Sequence, residues 1–220
     1  MKVGRSVLHV RGNKGGVPVL MVHGMFSNSS TYLGTKGKGL AVHLEKHGFS
    51  PHVLDMRGHG AAAADLNGED WNICDWVDDV EAAAGTIDRP FHVVGHSAGA
   101  AVSLAATCNA AVAQRVRSLT VVGVPYPITR GPRLLALNAS RFVQRGNKFP
   151  AKLLGFGPED EHANVLQTWF HWNKGRYVDR SGGDYLERER LPKEVPTLVL
   201  AAKQDKLFTP PELALSLIHI

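Results

Sequence analysis

The sequence predicts an α/β protein built on a doubly wound, mostly parallel sheet. Three observations carry that prediction. Short apolar, β-branched runs at Val17–Val22, Phe91–Val94, Arg117–Gly123 and Thr197–Ala201 have the length and composition of strands buried on both faces. Segments of helical periodicity separate them, so strand and helix alternate, which a parallel sheet with right-handed crossovers accommodates. The runs also exit into loops rich in Gly, His, Ser and Asp, at the strand ends where functional groups collect in such a sheet.

In chain order, Ser6–Arg11 alternates as a short strand and Gly12-Asn13-Lys14-Gly15-Gly16 follows as a turn. The Val17–Val22 strand ends in His23-Gly24-Met25-Phe26. Leu40–His47 reads as a short helix closed by Gly48. A strand begins at His52 and leaves through Asp55-Met56-Arg57-Gly58-His59-Gly60, followed by a small-residue loop from Ala61 to Gly68. From Asp70 the period is helical, with Ile73, Trp76, Val77, Val80 and Ala84 on one face. Asp75, Asp78, Asp79 and Glu81 lie off that stripe and read as a solvated face in preference to a metal cluster. After Phe91–Val94 comes Gly95-His96-Ser97-Ala98-Gly99, then a small-residue helix from Ala98 to Ala113.

The alternation breaks between Pro125 and Glu194, where helical pieces are expected at Pro132–Gln144 and Glu159–Lys174 and no strand is. Pro158-Glu159-Asp160-Glu161 reads as a helix start, with proline and acids in the first turn. A helical excursion between two sheet strands is expected to be a lid over the strand ends. The sheet then resumes at Thr197–Ala201, and Lys203-Gln204-Asp205 leads toward a last helix at Thr209-Pro210-Pro211.

Composition narrows the function. At 220 residues, 44% hydrophobic and 20% charged, the chain can bury one substantial core. No apolar run approaches bilayer length and no signal peptide opens the sequence, so a cytoplasmic location is expected. The formal charge of +5 is scattered without aromatic interleaving, which argues against nucleic acid. Cys74 and Cys108 fall in helical patterns and read as buried thiols. The Gly-rich loop after Val22 has neither the G-x-G-x-x-G nor the Walker pattern, which argues against a nucleotide; no metal or other cofactor is expected.

The chemistry centres on Ser97. Gly-x-Ser-x-Gly between a strand and a helix is a nucleophile elbow, whose sharp turn brings the two backbones too close for a flanking Cβ. A serine hydroxyl needs an adjacent base, usually an imidazole oriented by a carboxylate, and donors for the oxyanion that forms. Ala98 N–H, just after the serine, is one such donor, and Met25 is the residue best placed for the second.

On these residues the chain resembles an α/β-hydrolase-fold serine hydrolase of the esterase/lipase type. His23-Gly24-Met25-Phe26 resembles that family's oxyanion loop, Asp55 to Gly60 its Asp-x-Arg-Gly-x-Gly segment, Gly95 to Gly99 its elbow, and Pro196 to Asp205 its acid-bearing strand. The resemblance implies Ser97 as nucleophile, Asp205 as triad acid, and the N–H groups of Met25 and Ala98 as oxyanion hole. Asp55 is the rival acid. His23 is expected to be structural, His96 to pack, and Arg57–Gly60 to form a turn near the pocket. A serine nucleophile disfavours the haloalkane-dehalogenase and epoxide-hydrolase branches. The resemblance divides the chain into a hydrolase core at 1–125, the lid at 126–194 and continued core at 195–214.

The implied reaction is hydrolysis of a small-molecule or lipid-like carboxylic ester through an acyl-enzyme. Thioesterase, amidase and acyltransferase activities share the constellation, and a hydrolase fold used only for binding is the non-enzymatic alternative. The six basic residues from Arg130 to Lys152, with no acidic one, hint at an acidic substrate but equally at a solvated face. The base is expected after the acid in this fold, about 25 residues on, beyond a helix and a strand. Only 15 residues follow Asp205, with His219 the one histidine among them. Leu215–Ile220 reads as CTG-TCT-CTT-ATA-CAC-ATC, which resembles a transposase end sequence used in sequencing libraries. Residues 215–220 are therefore expected to be adaptor read-through, the natural chain continuing past about Ala214.

Overall fold

The computed structural model describes residues 1–12, 14–63, 69–124, 147–172, 176–185, 187 and 195–202. Its centre is a seven-stranded sheet in the order β1-β2-β4-β3-β5-β6-β9. The strands are β1 (Lys2–Val3), β2 (Ser6–Val10), β3 (Val17–Val22), β4 (Phe49–Asp55), β5 (Phe91–His96), β6 (Val116–Val122) and β9 (Thr197–Leu200). From β4 through β9 all neighbours run parallel, and β1 and β2 form an antiparallel edge. The mostly parallel, doubly wound sheet expected from the apolar runs is thus present.

Alternation within each strand divides the core. Leu20 and Val22 of β3 face one layer with α3 (Ile73–Gly85) and α4 (Ala98–Thr107), while Val19 and Met21 face the other with Tyr32 and Ala41. The latter come from α1 (Ser30–Leu33) and α2 (Leu40–Lys46). Helix α3 starts on a reciprocal cap: Asn72 accepts from Cys74 N–H at 2.8 Å, and the Asp75 carboxylate accepts from Asn72 N–H at 2.8 Å.

Strand order reverses at β3. The chain passes from β3 to β4 on one side, then crosses back to β5 on the other, which makes the carboxyl ends of β3 and β5 the switch point. Register aligns those ends, pairing Val22 with Gly95, His96 with Val122, and Val122 with Leu200. The loops after β3, β5, β6 and β9 therefore leave from one edge of the sheet.

Several local expectations are corrected. Strand β4 starts at Phe49, ahead of His52, and the helix after the elbow breaks before α5 (Ala110–Ala113), where Asn109 caps the new start by accepting from Ala111 N–H at 3.0 Å. In the inserted region, Lys148–Phe149 (β7) and Glu161–His162 (β8) pair as a small antiparallel sheet where no strand was expected. The helix expected from Glu159 begins only at Ala163, as α6 (Ala163–Trp172). Its Val165, Trp169 and Trp172 are buried in the same cluster as the α3 and α4 side chains. Cys74 is buried but Cys108 only half so, and neither is in a disulfide. Among the described residues no helix is long and apolar enough to cross a membrane.

Candidate active site

Strand β5 ends at His96 and α4 begins at Ala98, so the whole turn falls on Ser97. Its backbone takes φ 54° and ψ −124°, a left-handed conformation that a side-chain-bearing residue occupies at a cost of about 1–3 kcal/mol. The strain is held by packing that only glycine permits. A Cβ on Gly95 would lie 2.5 Å from the Ala100 Cα and 2.7 Å from the Gly99 carbonyl oxygen, and one on Gly99 would overlap the carbonyls of His23 and Val22. Ser97 N–H is anchored to the Val122 carbonyl at 2.9 Å. As the first residue of α4, Ala98 has an N–H with no acceptor inside the helix.

The loop after β3 closes against this turn. A Cβ on Gly24 would stand 2.9 Å from the Ser97 Cβ and 3.1 Å from the His96 carbonyl oxygen, which puts Gly24 directly beside the serine. The Tyr32 hydroxyl pins both strand ends, donating to the Val22 carbonyl at 3.0 Å and lying 3.4 Å from that of Val94. Burial pushes its pKa up, so it remains a neutral donor.

His23 is buried and its ring is fully committed. Nδ1 lies 2.8 Å from the Gly24 carbonyl, to which it must donate, and Nε2 accepts from Met56 N–H at 3.2 Å. Burial, followed by the nearby His59, lowers its pKa to about 3, so it is neutral at ordinary pH. It is a bracket between the loops after β3 and β4, with no nitrogen left for the serine. His96, expected to pack, is exposed beside Gly24, and desolvation lowers its pKa.

The Asp55–Gly60 segment proves to be a set of tethers. Asp55, 1% exposed, accepts from Ser29 N–H at 2.6 Å, Ala61 N–H at 3.0 Å and the His9 ring at 2.8 Å. Burial alone would raise its pKa, but the bonds from Ala61, His9 and Ser29 bring it below the usual value. Its oxygens are thus engaged away from Ser97. Arg57 makes a paired contact with Asp79, its Nε 3.0 Å from one carboxylate oxygen and its terminal nitrogen 2.7 Å from the other, and also reaches Asp75 at 3.0 Å. Arg180 adds bonds to Asp75 and Asp78, both at 2.8 Å. Asp75, Asp78 and Asp79 are therefore an ion-pair network, with Asp79 buried outright, while Glu81 accepts from the Asn109 side-chain amide at 3.1 Å. Among the described residues no acid, histidine or cysteine cluster has the form of a metal site.

Buried His59 sits with its Nε2 3.3 Å from an oxygen of buried Glu161 and its Nδ1 3.1 Å from the Arg57 carbonyl. Burial would lower its pKa, yet the Glu161 carboxylate leaves it raised above the usual histidine value. Met25 and Phe26 pack against Phe149, Ala151 and Leu166, so the inserted region forms a wall beside the Gly24–Phe26 loop. Asp205, His219 and the Pro132–Gln144 segment lie outside the described residues. The sequence reading missed Tyr32 and the Arg57–Asp75–Asp79 clamp. The i, i+4 spacing of the two aspartates on one helix, following an arginine, was the signal available for the clamp.

Residues 19–218 match the profile described as the alpha/beta hydrolase family. The 2-(acetamidomethylene)succinate hydrolase of Mesorhizobium japonicum is 32% identical over 126 residues, 56% of this chain and 42% of that protein, so the match spans less than half the relative's length. Among solved structures, the monoacylglycerol lipase of Paleococcus ferrophilus superposes with a TM-score of 0.66 at 15% identity, over 100% of this chain and 84% of its own. The N-formylmaleamic acid deformylase of Pseudomonas putida S16 superposes with a TM-score of 0.60 at 18% identity, over 96% and 84% respectively. At such identities these two speak to the fold.

Proposed function

The chain belongs to the alpha/beta hydrolase family, and on that premise we propose that it is a serine hydrolase that cleaves a carboxylic ester through an acyl-enzyme on Ser97. The observation that carries this reading is the strained, glycine-packed turn that presents Ser97 at the start of α4, against Gly24 of the loop after β3. Such strain persists where the surrounding structure enforces it, and it concentrates at functional sites.

In the proposed reaction, Ser97 Oγ attacks the ester carbonyl while its proton passes to a histidine base. The oxyanion takes hydrogen bonds from the N–H groups of Met25 and Ala98, which are preorganised in the backbone. Collapse expels the alcohol with the proton returned by the base, and water then releases the acid by the same steps in reverse. Asp205 is proposed to orient the base. In support, β9 ends level with β5 and β6 at the same sheet edge, five residues before Asp205. We further propose that the base is a histidine that follows Asp205 in the chain, in keeping with the Ser-Asp-His order of this fold.

The test is labelling of the full-length protein with a serine-directed fluorophosphonate. Adduct on Ser97, abolished in Ser97→Ala, supports the reading, and folded wild-type protein that takes no label favours a binding module instead. A second reading, amide hydrolysis on the same serine, is favoured by the name of the Mesorhizobium relative, which includes an acetamido group. Matched ester and amide substrates bearing the same acyl group separate the two by kcat/KM.

A further inference from the structure

The segment between β7 and α6 reaches back to the loops of the sheet. Glu159 and Glu161, two residues apart, both turn toward the loops that follow β3 and β4. Glu159 Oε1 accepts from the Asn28 side-chain amide at 2.5 Å and from Gly60 N–H at 3.3 Å. Its own N–H donates to the Phe26 carbonyl at 3.1 Å. Glu161 holds the next stretch in place through His59, its second oxygen accepting from His162 N–H at 3.0 Å. The partner of these contacts is itself strained. Phe26 has φ 60°, a left-handed conformation that costs a bulky residue about 1–2 kcal/mol and needs an external hold. Gly157 lies so close that a Cβ there would overlap the Phe26 carbonyl, while the Phe149 and Phe156 rings sit 5.8 Å and 5.9 Å from the Phe26 ring.

We propose that Glu159 is a positioning residue for the oxyanion loop: by bridging Asn28 and Gly60 and binding the Phe26 carbonyl, it fixes the Met25-Phe26 step and so aims Met25 N–H beside Ser97. The proposal rests on the Ser97 reading above. It follows from geometry, since Phe26 is the residue next to the proposed donor and its carbonyl accepts from the Glu159 backbone N–H, which the side-chain bonds to Asn28 and Gly60 hold in place. A donor displaced by a fraction of an ångström loses much of its effect, as about 1 Å of misplacement can cost roughly 100-fold.

The measurement is the second-order rate of fluorophosphonate labelling of Ser97 in the full-length protein, well below the melting temperature. Phosphonylation builds charge on an oxygen in the same hole, so the rate reports the donor's position. Glu159→Ala is expected to label about tenfold more slowly, and Glu159→Gln, which keeps the accepting oxygen, at close to the wild-type rate. A wild-type rate in Glu159→Ala overturns the proposal and leaves Ser97 as the nucleophile. So does Glu159→Gln labelling as slowly as Glu159→Ala. If Glu159→Ala does not fold, Asn28→Ala removes one end of the bridge. Slower labelling of that variant then supports the proposal and an unchanged rate overturns it. Folded wild-type protein that takes no label removes both readings together.

Discussion

Replacing Gly24 by alanine separates the stability of the fold from the reactivity of its serine. The added Cβ would sit 2.9 Å from Ser97 Cβ, 3.1 Å from the His96 carbonyl oxygen and 3.3 Å from His96 Nδ1. Carbon atoms pack at about 3.5–4.0 Å, so the loop and the turn must part by roughly half an ångström or more. The His96 ring is exposed and can move, so overpacking should cost about 1–2 kcal/mol, a melting shift of a few degrees. The same displacement carries Met25 N–H away from the position an oxyanion would occupy. On the scale of about 100-fold per ångström, labelling of Ser97 should slow by about tenfold or more. Gly99→Ala is the contrast: its Cβ would overlap two β3-end carbonyls inside the core, and loss of fold should dominate. Denaturant unfolding and fluorophosphonate kinetics on the same samples decide. Gly24→Ala that loses several kcal/mol yet labels at the wild-type rate refutes the placement of the loop beside the nucleophile.

Other expectations follow from the tethers. Asp55→Asn should destabilise by about 1–3 kcal/mol, because an amide cannot accept all three bonds now made to the carboxylate. A stable Asp55→Asn protein with kcat lowered about 10⁴-fold would instead identify the rival triad acid. Arg57→Ala strands the Asp79 carboxylate, 2% exposed, and should cost about 3–5 kcal/mol in denaturant unfolding, with Arg57→Lys restoring only part. The pH dependence of stability should show two histidines of opposite sign. His23, lowered to about 3, contributes stability above an unfolded pKa of about 6.5 that is lost as pH falls toward 3, so unfolding titrations should show acid weakening that His23→Gln lessens. His59, raised by Glu161, contributes stability below about 6.5 that is lost as pH rises through its folded pKa. The stability gap between wild type and His59→Gln should therefore shrink on the alkaline side.

What the sequence made legible was whatever a short apolar period or a local turn could encode. The Val17–Val22 and Phe91–Val94 runs, the α3 stripe and the glycines around Ser97 each state their structure within a few residues. The rest depends on partners far apart in the chain. Glu159 and Glu161 looked like first-turn helix acids because that is the local preference of Pro-Glu-Asp-Glu, yet Asn28 and His59, on distant loops, claim them instead. Strands β7 and β8 are two residues each, too short for alternation to show. Asp79 belongs by periodicity to a wet face, and only the fold brings Arg57 over it. His23 was recognisable as structural, but the atom that fixes its tautomer, Met56 N–H, lies 33 residues away.

Covalent chemistry at Ser97 leaves a trace that can be trapped as the acyl-enzyme. Full-length protein mixed with p-nitrophenyl acetate, quenched in acid and digested should carry one acetyl group on the peptide containing Ser97, in step with a burst of p-nitrophenol, and Ser97→Ala should show neither. Turnover with that peptide unmodified, or undiminished in Ser97→Ala, would contradict the account.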